Sequence, residues 1–302
     1  MDTLGIDIGG TKIGGAIVDE AGTILHRVFR PTPATDPDRI VEVCLEIVHE
    51  LTGIADAGAV GVAAAAFLDQ KREKVYFAPN IAWRDFPLKA RMEDVVGMPV
   101  RIENDANAAG WAEFRFGAAR DARSMMMLTM GTGVGGALID NGVLMIGGFG
   151  SAGELGHIVI EPDGLLCGCG NRGCLEQYAS GTALMRIARE TVGNPELSSD
   201  DLAELLIAGN ALAHSALETV CDAMGRGIAS LVAVTDPEVV VIGGGVARAG
   251  SVLSDLIQSR FLAHYPPAAL RPVASIVVAT MGNSAGVVGA ADLARTQFVT
   301  EA

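Results

Sequence analysis

Four residues in one short stretch could hold a metal. His157, Cys167, Cys169 and Cys174 fall within eighteen positions and are separated by glycine-rich turns. Zinc takes four nitrogen and sulfur ligands tetrahedrally, and a closed set of three cysteines and one histidine leaves no place for a reacting water. The expected metal is therefore structural. It would pin two loops so that Glu154, just before His157, and Glu176, just after Cys174, end up near each other. Ionised carboxylates accept several hydrogen bonds each, which suits a ligand with several hydroxyls. The competing reading is a redox pair, or buried thiols, with no metal.

Two other stretches could hold phosphate. Residues 3–8 and 13–19 read as apolar strands, so the segment from Asp7 to Lys12 forms the turn of a β-hairpin. Gly9 and Gly10 let backbone amides approach an anion, and Thr11 adds a hydroxyl donor. Asp7 could hold Mg2+ through water. A bare hairpin turn accounts for the same residues. The arrangement recurs with a strand over 124–130, then Gly131-Thr132-Gly133-Val134-Gly135-Gly136, then a strand over 137–140. Gly131, Gly133 and Gly136 have the spacing of a dinucleotide fingerprint, but that motif must open a helix. Here the chain continues as strand, turn at Asn141-Gly142, and strand, so the dinucleotide reading fails on context. Gly243, Gly244 and Gly245 lie between a strand over 238–242 and a helix over 251–261. Such a turn lines a ligand crevice or simply packs.

Between the two phosphate turns lies Glu103-Asn104-Asp105-Ala106-Asn107, after a strand over 98–102 and before a helix over 106–116. Asp105 is placed as a helix N-cap. Alternatively it is a general base at a strand end, orienting and deprotonating an alcohol for phosphoryl transfer. Asn104 offers a donor and an acceptor to a sugar hydroxyl. Asn80, in the turn over 78–81, could do the same, although asparagine after proline is ordinary turn chemistry.

The elements that must position these residues make a large α/β chain. At 302 residues it exceeds one ordinary domain, so two lobes are expected. Half the residues are hydrophobic, in runs too short to cross a membrane. The first residues, MDTLGIDIGG, lack the basic region and cleavage site of a secretion signal, so a cytoplasmic location is expected, where thiols stay reduced and available to metal. The net charge of −14 argues against a nucleic-acid partner and, more weakly, against any long polyanion. Cys44, Cys221 and the run Met125, Met126, Met127 read as core.

Together, DIGGTK at 7–12, ENDANAA at 103–109, MGTGVGG at 130–136, GELGH at 153–157 and CGCGNRGCLEQYASG at 167–181 resemble the ROK family from end to end. These are bacterial sugar kinases and sugar-responsive repressors. Within the family the chain is most similar to the actinobacterial type of glucokinase. The resemblance implies an actin-like ATPase (ribonuclease H-like) α/β fold, two lobes with a cleft between them. Residues 1–106 would form the small lobe, with a C-terminal helix near 290–302 packing back on it. Residues 107–289 would form the large lobe with the zinc loop.

Residue roles follow from the resemblance position by position. Asp105 matches the base that takes the proton from the sugar 6-hydroxyl. Asn104, Glu154, His157 and Glu176 match sugar-hydroxyl ligands, His157 serving twice, with one ring nitrogen on zinc and the other toward the sugar. Cys167, Cys169 and Cys174 match the remaining zinc ligands. Asp7, Gly9, Gly10, Thr11 and Lys12, and Gly131, Thr132 and Gly133, match two phosphate loops. Gly243, Gly244 and Gly245 match an adenosine-side loop. The implied activity is ATP- and Mg2+-dependent phosphorylation of glucose at the 6-position, in a homodimer or homotetramer. Mannose, N-acetylglucosamine or fructose as acceptor, and polyphosphate as donor, are the alternatives within the class. A sugar sensor is the alternative outside it, and a repressor would need a DNA-binding domain ahead of the first strand. One departure stands out: many members carry Pro-Gly where this chain has Gly61-Val62-Ala63-Ala64-Ala65-Ala66-Phe67, in a loop that meets the sugar through its backbone.

Overall fold

The computed structural model describes residues 1–265 and 269–298. In chain order it contains β1 (Thr3–Ile8), β2 (Lys12–Val18), β3 (Ile24–Pro31), α1 (Pro37–Thr52), β4 (Val60–Ala64), β5 (Phe67–Leu68), β6 (Val75–Phe77), β7 (Arg84–Phe86), α2 (Leu88–Val96), β8 (Val100–Asn104) and α3 (Asp105–Phe116). The chain continues through β9 (Met125–Met130), β10 (Val134–Asp140), β11 (Val143–Leu144), α4 (Glu176–Ala179), α5 (Gly181–Val192), α6 (Ser199–Ile207) and α7 (Ala211–Thr235). It ends with β12 (Val239–Gly243), α8 (Ser251–His264), β13 (Ser275–Val278) and α9 (Ala285–Phe298). Local signals explain many of the boundaries. Asp36 caps α1 with Pro37 following it, Ser198 and Asp201 close a reciprocal capping box on α6, and left-handed Gly97 and Gly193 end α2 and α5.

The two main sheets repeat one order. The first runs β3-β2-β1-β4-β8 and the second β11-β10-β9-β12-β13. In the first, β1, β4 and β8 are parallel and β2 and β3 return antiparallel. In the second, β9, β12 and β13 are parallel. This is the actin-like ATPase architecture expected for the sequence.

Contacts divide the chain into two units. The first comprises Met1–Asp121, Ala137–Gly153 and Thr280–Ala302, and the second Ala122–Gly136 and Glu154–Ala279. The division differs from the sequence expectation at 106/107, because α3 packs closely on α9 and so stays with the first sheet. The terminal helix spans Ala285–Phe298, and residues 299–302 of the range expected for it lie outside the described residues.

In the first unit, α1 buries Ile40, Val41, Cys44, Ile47, Val48 and Leu51 against Ile6, Ile13 and Ile17 of the sheet. This is the three-to-four spacing of an amphipathic helix. Helix α9 packs on β1 and β4 and reaches the backbone itself. A Cβ on Gly5 would run into the carbonyl of Val287, and one on Gly61 into that of Ala290. Only glycine permits so close a helix-to-sheet approach. In the second unit, α7 is the central helix and packs on α4, α5, α6 and α8, with Cys221, Met224 and Ile228 fully buried. Cys44 and Met125, Met126 and Met127 are also core, as the sequence indicates.

Candidate active site and metal centre

Parallel strands place their carboxyl ends along one sheet edge, and in open α/β sheets ligands gather there. In the first unit the candidate residues occupy that edge. The hairpin turn follows β1, and Asp105 directly follows β8. In register, Asp7 pairs with Ala63, which pairs with Glu103, and Ile8 pairs with Ala64, which pairs with Asn104.

The hairpin turn is tightly tied. The Gly9 amide donates to the Lys12 carbonyl (3.0 Å), the Thr32 hydroxyl donates to the Gly9 carbonyl (2.7 Å), and the Thr32 amide donates to the Thr11 carbonyl (3.1 Å). Asn80 is exposed and lies against the turn, 3.2 Å from where a Cβ on Gly10 would sit. Lys12 is exposed, its ammonium 4.6 Å from the Phe29 ring centre.

The structure corrects the capping alternative for Asp105. Asn104 is the N-cap of α3, its Oδ1 accepting from the amides of Ala106 (2.9 Å) and Asn107 (3.1 Å). Asp105 is the first residue of the helix, with Oδ1 accepting from its neighbour Ala106 (2.9 Å). The cap position therefore belongs to Asn104. Asn104 also donates through Nδ2 to the Ala66 carbonyl (3.3 Å). The alanine segment over 63–66 is thereby tied to the residue beside the candidate base.

Burial raises the pKa of Asp105. Asp7 rises to about 6, first through burial and next through repulsion by Asp105, against the opposing charges of Arg27 and Lys12. Two carboxylates drawn together at a sheet edge, each disfavoured as an anion, form an arrangement found at functional sites. Behind them lies a buried ion pair. Arg72 and Glu103, 6% and 1% exposed, meet at 2.8 Å, and Glu103 also accepts from the Asn104 amide (3.0 Å) and Asn107 Nδ2 (3.1 Å). The sequence gives no signal for this pair, since Arg72 sits in an unpatterned turn.

The second unit repeats the logic. Strands β9 and β12 are adjacent and parallel, with Gly243 opposite Thr129, so the turns at Gly131 and Gly243 leave the same edge. Gly244 has a φ of +85°, and a Cβ there would strike the Met130 backbone, so this turn also has a packing role.

The metal-ligand set assembles as expected. Its four ligand atoms, from His157, Cys167, Cys169 and Cys174, lie within 4.8 Å of one another. The Cys169 and Cys174 sulfurs are 3.6 Å apart, and the Cys167 sulfur is 3.7 Å from His157 Nδ1. A tetrahedron with zinc–sulfur bonds of about 2.3 Å has sulfur–sulfur edges of about 3.8 Å, so the set fits zinc. Burial pushes the thiols of Cys167 and Cys174 up, the latter to about 12, while the Asn171 amide holds Cys169 down. Three such thiols ionise together only against a cation. With Nδ1 turned to the sulfurs, His157 Nε2 faces Glu154 Oε2 at 3.9 Å. Glu154 thus adjoins His157, and Glu176 adjoins Cys167, whose thiol lies 3.6 Å from Glu176 Oε1.

Sequence reasoning missed the second role of Glu176. Its Oε2 accepts from the Val134 amide (3.1 Å), which ties the metal loop to the second glycine turn. It also missed Thr129, whose hydroxyl accepts from the Gly135 amide (3.1 Å), and Thr32 beneath the first turn. Single hydroxyls in strands and loops carry no spacing that would single them out.

The sequence profile of the ROK family matches residues 3–297. The chain belongs to the ROK family. Among ROK proteins it is 42% identical to a glucokinase of Streptomyces coelicolor, across 97% of each chain. It superposes on a ROK glucokinase of Streptomyces griseus solved with glucose and AMPPNP, with a TM-score of 0.87 and 41% identity, covering 98% of this chain and 100% of that one. A ROK hexokinase of Thermus thermophilus matches with a TM-score of 0.88 and 35% identity, over 100% of both chains.

Proposed function

We propose that this ROK protein is a glucokinase, transferring the γ-phosphoryl group of ATP to the 6-hydroxyl of glucose. The observation that carries the reading is Asp105. It stands at the carboxyl edge of the first sheet beside Asp7, it is not needed as the cap of α3, and its carboxyl is raised toward neutrality. A base with a raised pKa accepts the proton of an attacking hydroxyl more readily. The similarity to a relative solved with glucose and AMPPNP supports the choice of sugar and donor.

Phosphoryl transfer demands positioning and charge neutralisation more than covalent chemistry from the protein. Asp105 orients the 6-hydroxyl and takes its proton as the oxygen attacks phosphorus, while ADP leaves with the bridging oxygen. Asn104, Asn80, Glu154, His157 and Glu176 are assigned to the other sugar hydroxyls. The turn of Gly9, Gly10, Thr11 and Lys12 and the turn of Gly131, Thr132 and Gly133 are assigned to the phosphates, the Gly9 and Gly131 amides closing the turns and those of Gly10, Thr11, Thr132 and Gly133 meeting the anion, and Gly243, Gly244 and Gly245 are assigned to the adenosine side. Asp7 is the residue that would hold Mg2+, which neutralises phosphate charge when bound. His157, Cys167, Cys169 and Cys174 would hold zinc, which fixes the loop and the tautomer of His157.

The test is an assay of ADP release with Mg2+ and ATP across glucose, mannose, N-acetylglucosamine, fructose and no sugar. Glucose-dependent turnover is expected to dominate. Asp105→Ala is expected to lower kcat by about a hundredfold or more, with glucose affinity far less changed. Sugar-independent turnover would refute the kinase assignment, and near-normal kcat in the variant would refute the role of Asp105.

A further inference from the structure

The second glycine turn is held from behind by the segment that leaves the metal loop. The Gly181 amide donates to the Gly131 carbonyl (2.8 Å), and the Thr182 hydroxyl donates to the Thr132 carbonyl (2.7 Å). The remaining carbonyl of the turn, that of Gly133, accepts from the Gly131 amide (3.0 Å). The peptide unit is planar and trans, so a carbonyl and the N–H of the next residue point in opposite directions. Fixing the Gly131 and Thr132 carbonyls toward α5 therefore fixes the Thr132 and Gly133 N–H groups away from it. Amides aligned in this way make an anion-binding concavity. The fit is close, since a Cβ on Gly181 would sit 2.8 Å from the Gly131 oxygen.

The geometry points to Thr182 as a positioning residue for nucleotide phosphate, its hydroxyl aiming the Gly133 amide by holding the Thr132 carbonyl. The inference rests on the kinase reading, in which this turn receives the phosphates of a nucleoside triphosphate. Thr182 touches no substrate in this scheme and acts through the turn. The same segment joins the turn to the metal loop, because α4 begins two residues after Cys174 and its first residue, Glu176, bonds the Val134 amide. Preorganised amides bind an anion without first being ordered, so loosening them weakens phosphate binding selectively.

The experiment compares the native protein with Thr182→Val, which keeps the branched shape and removes the donor, and Thr182→Ser, which keeps the donor. Thr182→Ala is run beside them as a second donor-less variant in case the valine does not fold. Calorimetry gives the Kd of ADP and AMPPNP without sugar and the Kd of glucose without nucleotide, and kinetics give KM for ATP and for glucose. The donor-less variants should bind nucleotide about fivefold to tenfold more weakly, the magnitude of one lost hydrogen bond. KM for ATP should rise with it, glucose Kd should stay unchanged, and serine should restore binding to within about twofold. Equal nucleotide affinity in all four proteins would overturn the inference. So would parallel weakening of nucleotide and glucose that serine does not restore, the pattern of a purely structural residue. If the native protein itself binds no adenine nucleotide, the kinase reading falls and takes this inference with it. Native binding that the variants share sinks the inference alone.

Discussion

Replacing Asp7 by asparagine should make the protein more stable above neutral pH while removing its activity. The carboxyl has a pKa of about 6 in the fold against an ordinary value of 3.8, because burial and Asp105 both disfavour its anion. A raised carboxylate binds its proton more tightly in the native state. The stabilisation this gives is complete below about pH 4 and is lost as the pH rises through 6. The gap corresponds to about 3 kcal/mol at full strength. Asp7 is half-buried, and solvent at the turn screens the effect to about 1–2 kcal/mol. Asparagine keeps the shape and carries no charge, so the variant should gain that amount at pH 8 and nothing at pH 4. For a chain of this size the gain corresponds to a rise of about 2–4 °C in Tm. The assay is thermal and urea unfolding of both proteins at pH 4, 5, 6, 7 and 8 in magnesium-free buffer. The difference between the two curves isolates Asp7 from every other titrating group. A difference that does not change with pH, or one that favours the native protein more at pH 8 than at pH 4, would refute the reasoning. Lost activity combined with gained stability is the signature of a strained functional site.

Two further outcomes follow from the same structure. Arg72→Met removes the closer of two arginines that meet buried Glu103, leaving Arg101 at 3.4 Å, and should cost about 3 kcal/mol, read from the urea midpoint; adding Glu103→Leu should recover part of that loss, and full additivity would show that the pair does not interact. The purified protein should carry one zinc per chain by metal analysis, and its removal, or Cys169→Ser, should lower Tm by several degrees and weaken glucose binding; a verified metal-free protein with unchanged Tm and glucose affinity would refute the structural role.

Much of the site was legible in the sequence because its chemistry depends on residue type at short range. Ligands within eighteen positions, paired glycines between apolar runs and a carboxylate at a strand end are all local patterns. Context within a few residues also removed a false lead, since the strand after Gly136 excluded a dinucleotide fold, and β10 lies there. Where two residues competed for one local role, the sequence could not choose. Asn104 and Asp105 both suit an N-cap, and only the backbone path out of β8 gave the cap to Asn104.

The sequence alone therefore determined which residues are candidates for the chemistry: the metal-ligand set, the glycine turns, and Asp105 with its neighbours, along with the alternation of strands and helices that supports them. The tertiary structure decided how those residues are held. It put Arg72 behind Glu103, brought Asp105 close enough to Asp7 to raise its pKa, and set Thr182 and Glu176 against the second glycine turn. The physical reason lies in range. Propensity, capping and ligand spacing are fixed by neighbours along the chain, whereas a pKa, a buried ion pair or the aim of an amide depends on groups that meet only when distant segments pack.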